Sequence, residues 1–222
     1  MLLYNFVSDE FGRSNLENRR LKVSFPNAVN DLYEHKPFDF GSREVRKKWN
    51  QSIDLQSQTH GFVSFCEEWG SPAMWAHYAN NHRGICCGFE VNDNLLTKMD
   101  YVDELRPFNI AALRDLTILA DEMDYALQTK SSIWSYEREW RMHIKLGEEE
   151  ILAKKAKSQE VFFADFNENM KLREIIIGVH SDITSEQIKD NLDQKENVQI
   201  ISARPSFREY KMVPQRQKAL QK

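Results

Sequence analysis

Trp134-Ser135-Tyr136-Glu137-Arg138-Glu139-Trp140-Arg141 runs straight into Met142-His143-Ile144-Lys145-Leu146, so two carboxylates and two arginines interleaved with three aromatics open an alternating segment. Read as a strand, its side chains point to opposite faces in turn. Trp140, Met142, Ile144 and Leu146 then face a core, while Glu137, Glu139, Arg141 and His143 line the other side. That charged side has two readings. One is a set of ion pairs at a strand entrance, each contributing about 0–1 kcal/mol at a surface. The other is a carboxylate held by an arginine beside aromatic surface, an environment suited to binding a ribose or stabilising a developing cation.

Upstream, Gly61-Phe62-Val63-Ser64-Phe65-Cys66 reads as a strand, and Ser71-Pro72 supplies an N-cap and a first-turn proline for a helix running to about Arg83, closed by Gly84. On that helix Trp75, Tyr78, Ala79 and His82 share one face and Met74, His77 and Asn81 the adjoining one, either as core and hydrogen-bonded helix residues or as a pocket wall. Ile85 to Val91 is a buried strand. Strands are also expected over residues 2–7, 21–25, 161–166, 174–179, 198–202 and 207–213, and helices over 42–58 and 109–129. Thr184-Ser185-Glu186-Gln187 has the spacing of a capping box. Many short strands with interspersed helices indicate an α+β domain over residues 1–213, followed by a basic, solvated and frayed tail over 214–222.

The chain has 222 residues, 41% hydrophobic and 29% charged, the composition of a globular protein with an aromatic core. A formal charge of −4 argues against a protein built to coat nucleic acid, though a local basic patch is compatible with it. No apolar run reaches the roughly 18–20 residues of a membrane span and the N-terminus lacks a secretory layout, which predicts a cytoplasmic protein with no membrane partner. Cys66, Cys86 and Cys87 are an odd set, expected as buried small hydrophobes. His77 and His82 stand five apart on the expected helix and cannot clamp one ion as an i, i+4 pair would, so no metal is expected. Serine-hydrolase and phosphate-loop motifs are absent.

The same motifs carry a resemblance. The Leu3 to Phe6 strand, the Asn30-Asp31-Leu32-Tyr33-Glu34 turn, Ser64 to Cys66, Met74 to Ala79 with His82 and Gly84, and the Trp134 to Arg141 block resemble a bacterial family of domains of unknown function. The family's usual Asn-Asp-Pro is Asn30-Asp31-Leu32 here. More distantly, the order of elements is similar to the ADP-ribosyltransferase fold. That similarity implies two small, mostly antiparallel sheets forming a cleft for NAD, flanked by helices. It further implies Glu139 as the catalytic carboxylate, Glu137 orienting an acceptor, and Tyr78 or Trp75 stacking on nicotinamide. Ser64 and His77 would hold the ribose or amide, with His82, Arg141 and the first-strand Tyr4 completing the NAD site. The implied function is that of an NAD-dependent ADP-ribosyltransferase or NAD glycohydrolase, in a toxin or phage-defence role, its protein or nucleic-acid acceptor unspecified. Two other readings stand beside it. One is a non-catalytic module for a nucleotide, nucleic acid or protein, and the other a metal-dependent nuclease using Asp31, Glu34, Glu137 and Glu139.

Overall fold

The computed structural model describes residues 1–147, 161–192 and 197–222. In chain order the elements are β1 (Leu2–Val7), α1 (Asp9–Glu17), β2 (Arg20–Lys22), β3 (Phe38–Asp39), α2 (Arg43–Ser57), β4 (His60–Cys66), α3 (Pro72–Tyr78) and β5 (Ile85–Val91). They continue with β6 (Leu96–Lys98), β7 (Asp100–Val102), β8 (Arg106–Pro107), α4 (Leu116–Gln128), β9 (Thr129–Ser131) and β10 (Glu139–Lys145). The last are β11 (Phe163–Asp165), β12 (Met170–Ile177), α5 (Ser185–Lys189), β13 (Gln199–Pro205) and β14 (Met212–Pro214). They form two compact units, Met1–Lys22 with Phe65–Leu96 and Phe163–Lys222, and Val23–Ser64 with Thr97–Phe162. No described helix is long and apolar enough to cross a membrane.

In the first unit the strand order is β14-β13-β12-β5-β1, and Tyr4 of β1 pairs with Cys66. Its centre is β5, paired on both edges by β1 and β12, and its run Ile85-Cys86-Cys87-Gly88-Phe89 is buried throughout. Strands covered on both faces need continuous apolar runs, which Ile175, Ile176 and Ile177 also supply at 0% exposure. Strand β12 pairs with β13 in parallel, α5 lying in the connection between them, and the expected capping box is present at Thr184 and Gln187. With the parallel pairs β3–β8 and β7–β9 in the second unit, the pairing is mixed but mostly antiparallel as expected, while one sheet of eight strands stands in place of two small ones.

Helix α3 stops at Tyr78, not Arg83, since Asn80, Asn81 and His82 take left-handed φ values of 47°, 52° and 67°. Asn and His tolerate that region better than most residues, and Asn80 is fixed by a hydrogen bond from its Nδ2 to Asp9 Oδ1 at 3.1 Å. Gly84 is not a left-handed cap. A Cβ there would stand 2.0 Å from the Val7 carbonyl oxygen, so the glycine permits close backbone approach. The tail is not frayed either: Gln215 N donates to Ser202 O at 2.7 Å and Lys222 N to Ser202 Oγ at 2.9 Å. All three cysteines are free and buried, as expected.

In the second unit, Phe38, Trp49, Ile53, Phe108, Ala112, Met123 and Ala126 form the core, with Phe38 edge-on to Trp49 and Phe108 at 5.2 and 5.3 Å. Ser42 caps α2 by accepting from Val45 N at 3.2 Å. The helix expected over 109–129 is two pieces, a 3-10 turn at Ile110–Leu113 and α4. Asp115 restarts it by accepting from Thr117 N at 2.8 Å. In this unit β4, β10 and β6 are neighbours in that order.

Candidate functional site

Five charged side chains converge inside the second unit. Glu34 comes from the turn before β3, Lys130 from β9, Glu137 from the end of the 3-10 turn Ser132–Glu137, and Glu139 and Arg141 from β10. Glu137 precedes the strand. Arg138 between the two glutamates is left-handed at φ 45°, ψ 51°, and this turn brings both carboxylates to one side while leaving Arg138 exposed. Glu34, Glu137 and Glu139 are each 4% exposed, Lys130 6% and Arg141 1%.

The bonds within the cluster are short. Lys130 Nζ donates to Glu137 Oε2 at 2.5 Å and to Glu139 Oε2 at 3.1 Å, with Glu34 Oε2 at 3.6 Å. Arg141 donates from Nε to Glu139 Oε1 at 2.8 Å and from Nη2 to Glu139 Oε2 at 3.1 Å, and also pairs with Glu34 through Nη2. Ser64 on β4 donates its hydroxyl to Glu139 Oε1 at 2.7 Å. Phe62 floors the cluster, with the Arg141 guanidinium 4.2 Å from its ring centre, and Trp134 stands 5.2 Å from Lys130 Nζ. The Tyr101 hydroxyl accepts the Glu139 backbone N–H at 2.8 Å.

These contacts set the protonation states. Burial by itself would raise the Glu139 carboxyl, but Arg141, Lys130 and the Ser64 hydroxyl hold it down at about 2, so it is an anion at neutral pH. Burial would lower Lys130 and Arg141, yet the surrounding carboxylates push both above their ordinary values. His35, fully buried, is lowered to about 4 by burial and by Arg141. Its Nδ1 lies 3.3 Å from Ala126 O. Two polar atoms of this buried region, His35 Nε2 and Arg141 Nη1, have no hydrogen-bond partner among the described residues.

The two-sided strand picture holds in part, because both faces of the strand carry buried residues. Glu137, Glu139 and Arg141 are buried, whereas Trp140 and Ile144 on the expected core side are half-buried; Met142 and Leu146 are buried as expected and His143 is exposed. Counter-charge on β9 and in the 32–36 turn makes burial of the charged side possible. Sequence reading did not find Lys130, whose one clue is its place in Thr129-Lys130-Ser131 just ahead of the aromatic block. Glu34, Glu137 and Glu139 do meet, but around the Lys130 ammonium, which takes the position a bound cation would need. Among the described residues no group of three His, Cys, Asp or Glu side chains is placed to hold a metal.

Of the expected NAD-site residues, Ser64, Glu137, Glu139 and Arg141 lie in this unit, and Tyr4, Trp75, His77, Tyr78 and His82 in the first. Trp75 is not a stacking surface. It is 0% exposed, edge-on to Phe6 at 5.1 Å, stacked on His82 and donating its indole N–H to Trp69 O at 2.7 Å. The Tyr4 hydroxyl is directed at Glu174 Oε2, 3.0 Å away. His77 is exposed, and Tyr78 and His82 are half-buried.

No curated protein and no solved structure matches the chain. Residues 74–142, which run from α3 to the middle of β10 and include Glu137, Glu139 and Arg141, match the model of a family described as a protein of unknown function, DUF2971.

Proposed function

We propose that the chain is an NAD-directed ADP-ribosyltransferase or NAD glycohydrolase acting through Glu139, with a toxin or defence role in the cell. The observation that carries this reading is the Ser64–Glu139–Arg141 arrangement, which keeps one carboxylate ionised and fixed by hydrogen bonds on both of its oxygens. Three carboxylates against two cations, with two buried polar atoms lacking hydrogen bonds, are a poor stability device. Apolar residues of similar volume are often as stable or more so, whereas functional sites gather such groups.

In the reaction, Glu139 would accept a hydrogen bond from a ribose hydroxyl and stabilise positive charge on the ribose as the glycosidic bond breaks. The bonding pair leaves on the nicotinamide nitrogen, water or an acceptor hydroxyl attacks the anomeric carbon, and the attacking group's proton passes to solvent. Arg141 is the positioning residue, since it orients Glu139. Glu137 would orient the acceptor.

A second reading is favoured by the 4% exposure of Glu139: a buried ionic cluster that fixes the β9–β10 geometry and touches no substrate. The two separate on one experiment, nicotinamide release from NAD by the wild type and by Glu139→Gln, with melting temperatures measured in parallel. The enzyme reading expects release that is lost in the variant, while the fold persists. A wild type that neither binds nor consumes NAD in the presence of protein and nucleic-acid acceptors eliminates it.

A further inference from the structure

The second unit carries an open cleft of about 720 Å³, whose walls are the 32–36 turn and one face of α2. Arg43, Arg46 and Asn50 stand at i, i+3 and i+7, which places them on a single helix face. Trp49 and Ile53 occupy the core-facing side of the same helix. Both arginines are exposed, and neither forms an ion pair with a described carboxylate. Cations in the opening turns of a helix oppose its dipole, so Arg43 and Arg46 cost the fold where they stand. Lys36 faces them; its Nζ donates to Leu32 O at 3.0 Å and retains two further donors. Asp39 is the acidic side chain of the lining, and its Oδ1 already accepts from Gly41 N at 2.9 Å.

Beside these cations the cleft exposes flat and apolar surface, with Leu32 82%, Tyr33 68% and Leu105 50% accessible. Apolar side chains this exposed, grouped next to unpaired cations, mark a recognition surface. We propose that this cleft binds single-stranded nucleic acid, its phosphates on Arg43, Arg46 and Lys36 and a base against Tyr33. The row from Arg43 to Asn50 spans about 10 Å at the helical rise, longer than one phosphate group, which fits a strand better than a single nucleotide. In a chain of net charge −4 the attraction is local to this face. None of these residues belongs to the Glu139 cluster, so the proposal stands apart from the NAD chemistry.

The test is fluorescence anisotropy with a labelled single-stranded oligonucleotide of about 10 nucleotides, in RNA and DNA forms, across a salt series. The wild type should bind saturably to at least one form. Arg43→Ala with Arg46→Ala should weaken binding at least tenfold and reduce the slope of log affinity against log salt by about 1.4, two contacts' worth. Tyr33→Ala should weaken binding about 5- to 150-fold and leave the slope unchanged. All three residues are exposed, so melting temperatures should stay near the wild type, and the arginine variant should keep any nicotinamide release. The proposal is overturned if the wild type does not bind at low salt, if ATP displaces the strand at comparable concentration, or if Lys171→Ala with Arg173→Ala in the other unit weakens binding as much.

Discussion

The first unit buries an apolar centre, whereas the second buries a cluster of charges in addition to its apolar core. Around β5 the first unit packs Leu3, Ile85, Cys86, Phe89, Ile175, Ile176 and Ile177 at 0% exposure, and burial pushes the Cys87 thiol up to about 12 and Cys86 well above its ordinary value. Those thiols behave as small hydrophobes without reactivity. The second unit places five charges at similar depth. Apolar burial stabilises in proportion to area, about 25 cal/mol per Å², and loses stability gradually as atoms are removed. Buried charge is conditional on its partners, because removal of one leaves the others uncompensated in a medium that solvates them poorly.

The largest expected effect follows from that contrast. Arg141→Met should cost about 3–5 kcal/mol in urea unfolding, because Glu34 and Glu139 lose their guanidinium while buried. A loss below about 1 kcal/mol would mean that water reaches the cluster and that the contrast with the first unit is smaller than the burial indicates.

Acid should separate the units next. His35 stays neutral in the fold down to about pH 4, whereas an unfolded histidine takes up its proton near 6.5. Between those values the unfolded chain binds more protons, so acidification should remove about 3 kcal/mol of stability. The step should vanish in His35→Gln. Glu139, depressed to about 2, contributes stability that is fully present above its ordinary value of 4.5 and is lost as the pH falls below it. Unfolding free energies across pH 3 to 7, wild type against variant, check both signs.

In the first unit, Ile176→Val should cost about 0.5–1.5 kcal/mol, a graded loss from removing one methylene. A cost near that of Arg141→Met would erase the contrast. The smallest effect belongs to the exposed pair Lys211–Glu68, 2.6 Å apart and about half accessible on each side, where Lys211→Ala should change stability by about 0–1 kcal/mol.

Elements with strong local signals were legible. The apolar run of β5, the Thr184 capping box and the Ser42 to Ser57 helix could each be read from neighbours in the chain. Helix α1 could not, because it buries just Gly12, Asn15 and Leu16 and so has almost no apolar stripe. The overextended α3 erred for a related reason: nothing in Asn80-Asn81-His82 forbids a helix, and the left-handed turn is stabilised by contacts with Asp9 and the Trp75 carbonyl. Of the candidate site, Glu139, Glu137 and Arg141 were legible from type and spacing, and Ser64 from the resemblance alone. Lys130 and His35 were not, since each gains its meaning from partners several residues or an entire element away.

Sequence by itself determined the α+β class, the strands whose apolar runs require burial, the buried cysteines and the concentration of charge at residues 137–141. Those properties depend on side-chain type and short-range periodicity. Tertiary structure decided which face of that block is buried, which ammonium its carboxylates enclose, and that Trp75 is core. Burying a charge depends on counter-charges brought from Glu34 and Lys130, far apart in the chain, and no local pattern encodes that arrival.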